Sequence, residues 1–146
     1  MLPLMSIFCA EYLIYVVLLV IPVLWLGGQN RTARGALLSL GIAWAVGFVI
    51  KNLYYLPRPY IVSGRLPLIP VLLDGSFPSN HAIVALTPVF FLIFIRRKPG
   101  LWLLPAAFLV AFSRVAVGVH TLPDILGGVV ISLTVAYIVS RNGAWG

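Results

Sequence analysis

Charged residues are scarce in this chain of 146 residues, where they make up only 9%, and just three are acidic: Glu11, Asp74 and Asp124. Hydrophobic residues account for 62%, and the mean hydropathy is +1.09. That balance excludes an ordinary soluble domain and predicts a polytopic membrane protein. The length allows a single helical bundle, so we expect one transmembrane domain over residues 1–146.

Cysteine and repeated sequence are nearly missing as well. Cys9 is the only cysteine, which excludes an internal disulfide bond and leaves the redox compartment open. No internal repeat or low-complexity tract divides the chain. The first apolar run has no basic segment ahead of it, so we expect no cleavable signal peptide.

Five apolar stretches are long enough to cross, or nearly cross, a bilayer as helices. They cover roughly residues 7–26, 35–56, 79–95, 101–119 and 122–140. A proline-rich stretch, 57–78, separates the second from the third and predicts an ordered loop or interfacial segment, not a sixth crossing. We therefore predict an all-α membrane bundle of about five transmembrane helices.

The basic residues predict how this bundle is oriented. The formal net charge is +7, but most basic residues lie in short connections, which is typical of topology signals and not of a nucleic-acid-binding face. With five crossings, one side of the membrane holds six cations and no acidic residue: Arg31, Arg34, Arg96, Arg97, Lys98 and Arg141. The positive-inside rule makes that side cytoplasmic, with the N-terminus outside and the C-terminus in the cytoplasm.

Three short polar patches interrupt the apolar sequence, and all of them fall on the predicted outer side. They read Lys51-x6-Arg58-Pro59, Pro78-Ser79-Asn80-His81 and Ser113-Arg114-x5-His120-x3-Asp124. Ionisable side chains are costly beside hydrocarbon, so their presence there indicates a functional site.

All three patches contain residue types that bind phosphate. Arginine offers a planar fork of donors to phosphate oxygens, and lysine adds a compact charge, which suits Lys51, Arg58 and Arg114. Prolines on both sides of Arg58 predict that it follows the helix on an extended segment. Ser79 is a natural N-cap, and a helix N-terminus attracts anions. The structural alternatives are interfacial cations that snorkel and a serine that only caps its helix.

The third patch pairs a histidine with a carboxylate. His120 and Asp124 are four residues apart and can approach each other if a helix begins near Thr121. A carboxylate bonded to one ring nitrogen makes the other a better nucleophile, although Asp124 also suits a simple capping role. A metal site built from these two residues and His81 is conceivable, but three nearby cations would repel a metal, so we expect no metal or other cofactor.

The two remaining acidic residues suggest structural roles. Asp74 precedes Gly75 in the proline-rich stretch and is expected to serve a turn. Glu11 lies early in the first crossing, where we expect interfacial exposure and no part in catalysis.

In order and spacing, the three patches resemble the signature of the type 2 phosphatidic acid phosphatase superfamily, membrane lipid phosphatases related to vanadium haloperoxidases. The resemblance covers most of the chain. It departs at Asn80, where the family usually has glycine; a side chain there either crowds the phosphate or adds a donor. The resemblance implies that His120 attacks phosphorus to give a phosphohistidine, that Asp124 orients it, and that His81 protonates the leaving oxygen and then activates water. The phosphate-binding residues it implies are Lys51, Arg58, Ser79, Asn80 and Arg114.

The predicted function is therefore a lipid phosphatase with its site at the outer face of a prokaryotic plasma membrane. Undecaprenyl diphosphate, cleaved to the monophosphate and inorganic phosphate, is the favoured substrate, by analogy with the family and from the predicted topology. Phosphatidylglycerophosphate, phosphatidic acid and a lipid A phosphate are alternatives. A transporter or channel that binds anionic lipids without chemistry is the alternative of another class. We expect the lipid substrate and the bilayer as partners and no nucleic acid; the sequence leaves the oligomeric state open.

Overall fold

A computed structural model describes residues 2–70 and 74–145 of the chain, and the regular secondary structure of these residues is entirely α-helical. There are eight helices in this part: α1 Leu2–Glu11, α2 Leu13–Leu18, α3 Val20–Leu26, α4 Asn30–Leu53, α5 Pro59–Ser63, α6 Asn80–Phe94, α7 Lys98–Ala116 and α8 Leu122–Arg141. The predicted all-α class is confirmed.

The first apolar stretch forms α1, α2 and α3, which follow one another with interruptions at Tyr12 and Leu19. Pro22 accounts for the second interruption, because it cannot donate to the carbonyl of Leu18 one turn earlier. The apolar helical segment nevertheless extends over Leu4–Leu26, long enough to span a bilayer.

Four helical segments of the described chain are long and apolar enough to cross a membrane: Leu4–Leu26, Asn30–Leu53, Lys98–Ala116 and Leu122–Arg141. The third predicted crossing corresponds to α6, which has only 15 residues and is shorter than a usual span. The second predicted crossing is shifted, since α4 starts earlier and stops before the expected end at Leu56. The number of crossings and their orientation stay predictions.

Helix α6 forms the centre of the bundle and packs against α4, α7 and α8. Most of its residues are buried, and Thr87 hydrogen-bonds to Ser132 of α8 over 3.0 Å between their hydroxyl oxygens. Large apolar side chains such as Trp102, which is 74% exposed, cover the outside of the bundle instead. An apolar exterior around a packed interior is the arrangement expected of a protein surrounded by lipid.

The predicted loop after α4 is well connected to the bundle. It contains the short helix α5, which ends at Gly64 in the left-handed conformation at φ 69°. The amide of Ser76 donates to the carbonyl of Leu56 at 2.8 Å, and that of Leu68 to the carbonyl of Val117 at 3.0 Å. These bonds bring the loop over the ends of α4 and α7, where the polar patches lie.

Candidate active site

The three polar patches meet at one end of the bundle and line a cavity of about 270 Å³. Its lining comprises Glu11, Tyr15, Lys51, Arg58, Pro70, Asp74, Asn80, His81, Arg114 and His120. Six of the eight predicted site residues are in this set. The other two, Ser79 and Asp124, are buried but are not among the lining residues.

Lys51 and Arg58 reach the cavity from the end of α4 and from the extended segment after it. Lys51 is in the last turn of α4, and its Nζ donates to the carbonyl of Gly75 at 2.8 Å. Arg58 has extended backbone angles, φ −71° and ψ 152°, which confirms that it follows the helix. Its Nη1 donates to the carbonyl of Val119 at 3.2 Å. Because Val119 directly precedes His120 in the chain, this bond anchors the guanidinium to the backbone next to that histidine.

Asp74 lies at a bend of the loop, as expected, but it is also paired with both of these cations. Its Oδ1 accepts from Nε of Arg58 at 3.1 Å and also from Nη2, and its Oδ2 lies 3.4 Å from Nζ of Lys51. Partial burial would raise the pKa of Asp74, but the hydrogen bond from Arg58 and the charges of both cations outweigh it and hold that pKa below its usual value. Asp74 is therefore an ionised counterion of the site.

The second patch begins helix α6, as predicted. Ser79 is the N-cap, and its side chain accepts from the amide of Ala82 at 3.5 Å, while its own amide donates to the carbonyl of Asp124 at 3.1 Å. His81 follows in the first turn and lines the cavity. Oδ1 of Asn80 is buried without a hydrogen-bond partner in the described part of the chain. The start of α6, which is the positive end of its helix dipole, therefore lies at the cavity.

Arg114 comes from the last turn of α7 and reaches across to α1. Its Nη1 donates to the carbonyl of Ala10 at 3.0 Å and lies 3.6 Å from a carboxylate oxygen of Glu11. The interruption at Tyr12 leaves this carbonyl available for Arg114. Glu11 keeps the expected exposure, with 38% of its side chain accessible, and it also lines the cavity as a counterion, which the sequence did not predict.

His120 and Asp124 lie together where α8 begins. The carboxylate Oδ2 is 3.5 Å from Nδ1 of His120, which is longer than a well-formed hydrogen bond. The same oxygen accepts from the amide of Thr121 at 2.6 Å, so Asp124 also completes a capping box. Burial lowers the pKa of His120 below its ordinary value; Arg58 and Lys51 act in the same direction, and Asp124 opposes them. The imidazole is therefore neutral at neutral pH.

Ser76 is a residue of the site that sequence reasoning missed. Its Oγ donates to Oδ2 of Asp124 at 2.5 Å, and both side chains are buried. A serine just before a Phe-Pro pair has no distinguishing pattern, because its partner is 48 residues away. Its position is nevertheless suited to fix the carboxylate that faces His120.

The charges of the cavity suit a multiply charged anion. Lys51, Arg58 and Arg114 supply three positive charges, and Asp74 and Glu11 offset two of them. Within residues 2–70 and 74–145, no group of three or more His, Cys, Asp or Glu side chains is arranged to hold a metal ion. The arrangement combines anion binding with two imidazoles, one of which faces a carboxylate.

Comparison with protein families finds a match to the PAP2 superfamily over residues 32–145. Among individual relatives, the chain is 35% identical over 139 residues to the undecaprenyl-diphosphatase BcrC of Bacillus subtilis, which covers 92% of this chain and 72% of the relative. It is 33% identical over 133 residues to the putative undecaprenyl-diphosphatase YbjG of Escherichia coli, covering 88% and 67% of the two chains.

A solved structure has the same fold. It is the crystal structure of a transmembrane PAP2-type phosphatidylglycerolphosphate phosphatase from Bacillus subtilis, which superposes with a TM-score of 0.64. The match covers 94% of this chain and 71% of that one, at 23% sequence identity. At this identity the likeness supports the fold, while the sequence relatives support the family.

Proposed function

The chain belongs to the PAP2 superfamily, and we propose that it is a membrane-embedded lipid phosphatase that hydrolyses undecaprenyl diphosphate to undecaprenyl phosphate and inorganic phosphate. The observation that carries this proposal is the meeting of three cations and two histidines at one cavity. A binding protein needs the cations alone, whereas turnover also needs a nucleophile and an acid. Relatives named for this activity support the choice of substrate.

In the proposed reaction, Lys51, Arg58 and Arg114 neutralise the terminal phosphate and position it beside His120. Nδ1 of His120 is turned to Asp124, so Nε2 is the nitrogen available for attack. A bond forms between Nε2 and the terminal phosphorus, and the bond from that phosphorus to the bridging oxygen breaks. His81 gives a proton to the departing oxygen of the lipid phosphate.

The second step returns the enzyme to its starting state. His81, now neutral, takes a proton from a water molecule, whose oxygen attacks the phosphohistidine. The bond between phosphorus and Nε2 breaks, which releases inorganic phosphate and restores the neutral imidazole of His120. Asp124 stabilises the positive charge that His120 carries while it is phosphorylated.

The test is release of phosphate by purified protein in detergent with a chelator present. We expect undecaprenyl diphosphate to be cleaved by the wild type and His120→Ala to lose at least roughly a thousandfold of kcat, because the nucleophile is gone. If the variant keeps the wild-type rate, or the wild type releases no phosphate from any lipid phosphate or diphosphate, the enzymatic proposal fails. A strong preference for phosphatidylglycerophosphate in a parallel assay would change the substrate and leave the mechanism intact.

We also propose that the cavity opens on the outer side of a prokaryotic plasma membrane. The support is the charge at the other end of the bundle. Arg31 and Arg34 lie in the first turns of α4, Arg96 and Arg97 directly precede α7, Lys98 begins it, and Arg141 ends α8. An outward cavity suits a lipid whose phosphate lies at the interface while its tail stays in the bilayer.

A further inference from the structure

A second cavity adjoins the first one at the surface of α4. It has a volume of about 440 Å³ and is lined by Trp44, Phe48, Lys51, Asn52, Tyr55, Asp74, Gly75 and Asn80. Three of these residues, Lys51, Asp74 and Asn80, line both cavities. Neither histidine and neither arginine of the first cavity is among the lining residues of the second. The second cavity therefore extends the site but has neither its imidazoles nor its guanidinium groups.

Along one face of α4, the lining of the second cavity changes from polar to apolar. Trp44, Phe48 and Lys51 are spaced by four and three residues, so they lie on the same side of the helix. By the helix rise, Trp44 is roughly 10 Å deeper along the axis than Lys51. The rings of Trp44 and Phe48 stack with centroids 5.5 Å apart and are 48% and 50% exposed. They form an apolar surface that faces away from the bundle, toward lipid.

Asn80 lies at the junction of the two cavities, and its side chain makes no hydrogen bond within residues 2–70 and 74–145. A buried polar group without a partner costs free energy unless a ligand or water supplies one. A carboxamide can donate to an ionised phosphate oxygen and accept from a protonated one. The Nδ2 amide of Asn80 can therefore donate to an ionised oxygen of a phosphate group at the junction.

We propose that the second cavity binds the lipid-side phosphate of the substrate, which stays on the lipid after hydrolysis, together with the start of the isoprenoid chain. The retained phosphate lies beside Lys51 and Asn80, and the first isoprene units pack on the stacked rings of Trp44 and Phe48. This inference rests on the proposed function and adds a subsite to it. Along α4, the cation Lys51 is followed by the rings of Phe48 and Trp44, and Asn80 at the start of α6 lines the same cavity. This order, a charge followed by an apolar surface, matches the order of groups in a lipid diphosphate behind its terminal phosphate.

The test compares Trp44→Ala with the matched variant Trp102→Ala, which removes an exposed tryptophan of α7 that lines neither cavity. Phosphate release is measured from undecaprenyl diphosphate and from a diphosphate with a single isoprene unit. We expect Trp44→Ala to lower the long-to-short ratio of kcat/KM roughly tenfold, mainly through KM for the long substrate, because only that substrate extends over the rings. Trp102→Ala should keep the wild-type ratio. A wild-type ratio in Trp44→Ala overturns the proposal.

A binding measurement separates this inference from the proposed function. In the His120→Ala background, equilibrium binding of undecaprenyl diphosphate is measured with and without Trp44→Ala, and thermal unfolding checks that both proteins are folded. We expect Kd to rise roughly tenfold when Trp44 is removed. If the wild type hydrolyses nothing, the proposed function fails. Weaker binding of undecaprenyl diphosphate when Trp44 is replaced would still support the subsite. Unchanged binding in folded protein contradicts it.

Discussion

Arg58 and Asp74 form a two-donor contact at the cavity, with Nε and Nη2 of the guanidinium both donating to Oδ1 of the carboxylate. The other carboxylate oxygen lies 3.4 Å from Nζ of Lys51. The two cations assigned to the substrate phosphate thus already have an anionic partner. A phosphate that binds there has to displace Asp74 from them or share them with it.

Replacing Asp74 with asparagine should therefore strengthen substrate binding. The pKa of Asp74 is below its usual value, so its charge competes with phosphate throughout the neutral range. We expect Asp74→Asn to lower KM for undecaprenyl diphosphate roughly three- to tenfold, because the cations are no longer occupied in the free enzyme. The measurement is the substrate dependence of phosphate release.

The matched control for this change is Arg65→Gln, which alters an exposed charge in the same loop outside the cavity and should leave KM unchanged. A higher KM in Asp74→Asn would contradict the competition and would indicate that Asp74 is needed to hold Lys51 and Arg58 in position.

Ser76 should affect the chemical step through Asp124. Its hydroxyl donates to the carboxylate oxygen nearest His120, and Ser76→Ala leaves the amide of Thr121 as the donor to that oxygen, so the carboxylate is held less firmly toward His120. We expect kcat to fall roughly tenfold, the value of one hydrogen bond to a charged group, with little change in KM. Ser76→Thr should recover most of the rate. Ser140→Ala, which removes an exposed hydroxyl far along α8, should have no effect. A rise in KM alone would place Ser76 in binding instead.

The titration of His120 should lie below the ordinary histidine value of 6.5. Burial, Arg58 and Lys51 all disfavour the imidazolium, so the ring loses its proton at a lower pH than a free histidine. Because the chain has two histidines, His81→Gln leaves one signal to follow by NMR with labelled histidine. We expect its midpoint to rise when Arg58→Gln is added, since a repelling charge is removed. A midpoint at or above 6.5 in the His81→Gln protein would contradict this account.

Local sequence predicted those parts of the site whose backbone conformation depends on neighbouring residues. Ser79 begins a helix where its capping character predicted one, α8 begins next to Thr121 as expected, and Arg58 is extended because prolines flank it. The order of the three patches along alternating helices also predicted that they share one end of the bundle. In these cases the signal and the structure lie within a few residues of each other.

The contacts of Glu11, Asp74 and Ser76 in the site depend on partners far away in the chain, and this is why the sequence did not predict them. Glu11 pairs with Arg114 and Ser76 with Asp124, contacts that exist only after the helices have packed. Composition does point to ion pairs for these carboxylates. With only three acidic residues in a membrane protein, each carboxylate beside an apolar stretch is costly enough to need a cation nearby.

The proposed orientation can be tested by labelling single cysteines in intact cells. After Cys9→Ser removes the natural thiol, Arg65→Cys puts a thiol in the exposed loop at the cavity end and Lys98→Cys puts one at the opposite end. Under the positive-inside rule, a membrane-impermeant maleimide should react with the first at once and with the second only after permeabilisation. The reverse pattern would put the cavity on the cytoplasmic side, and labelling of both sites in intact cells would indicate a mixed topology.

Close contact between α6 and α8 should be needed to hold the start of α6 in place. A Cβ atom added at Gly128 would lie 2.8 Å from Cβ of Ala82 and 3.1 Å from the carbonyl oxygen of Ser79, and neither atom can move without the backbone. Gly128→Ala should therefore push the first turn of α6, which carries His81, away from α8. We expect a loss of stability of about 1–3 kcal/mol from overpacking, seen as a lower Tm, together with a lower kcat.

The matched control is Gly41→Ala in α4, where an added Cβ meets nothing within 4 Å. Gly41→Ala should keep the wild-type kcat and leave Tm unchanged or higher, because alanine favours a helix over glycine by about 1 kcal/mol. The two variants make the same chemical change in two helices and differ in what the new methyl group touches. If both lower Tm equally, the loss comes from glycine replacement in general, and the contact between α6 and α8 is not what positions His81.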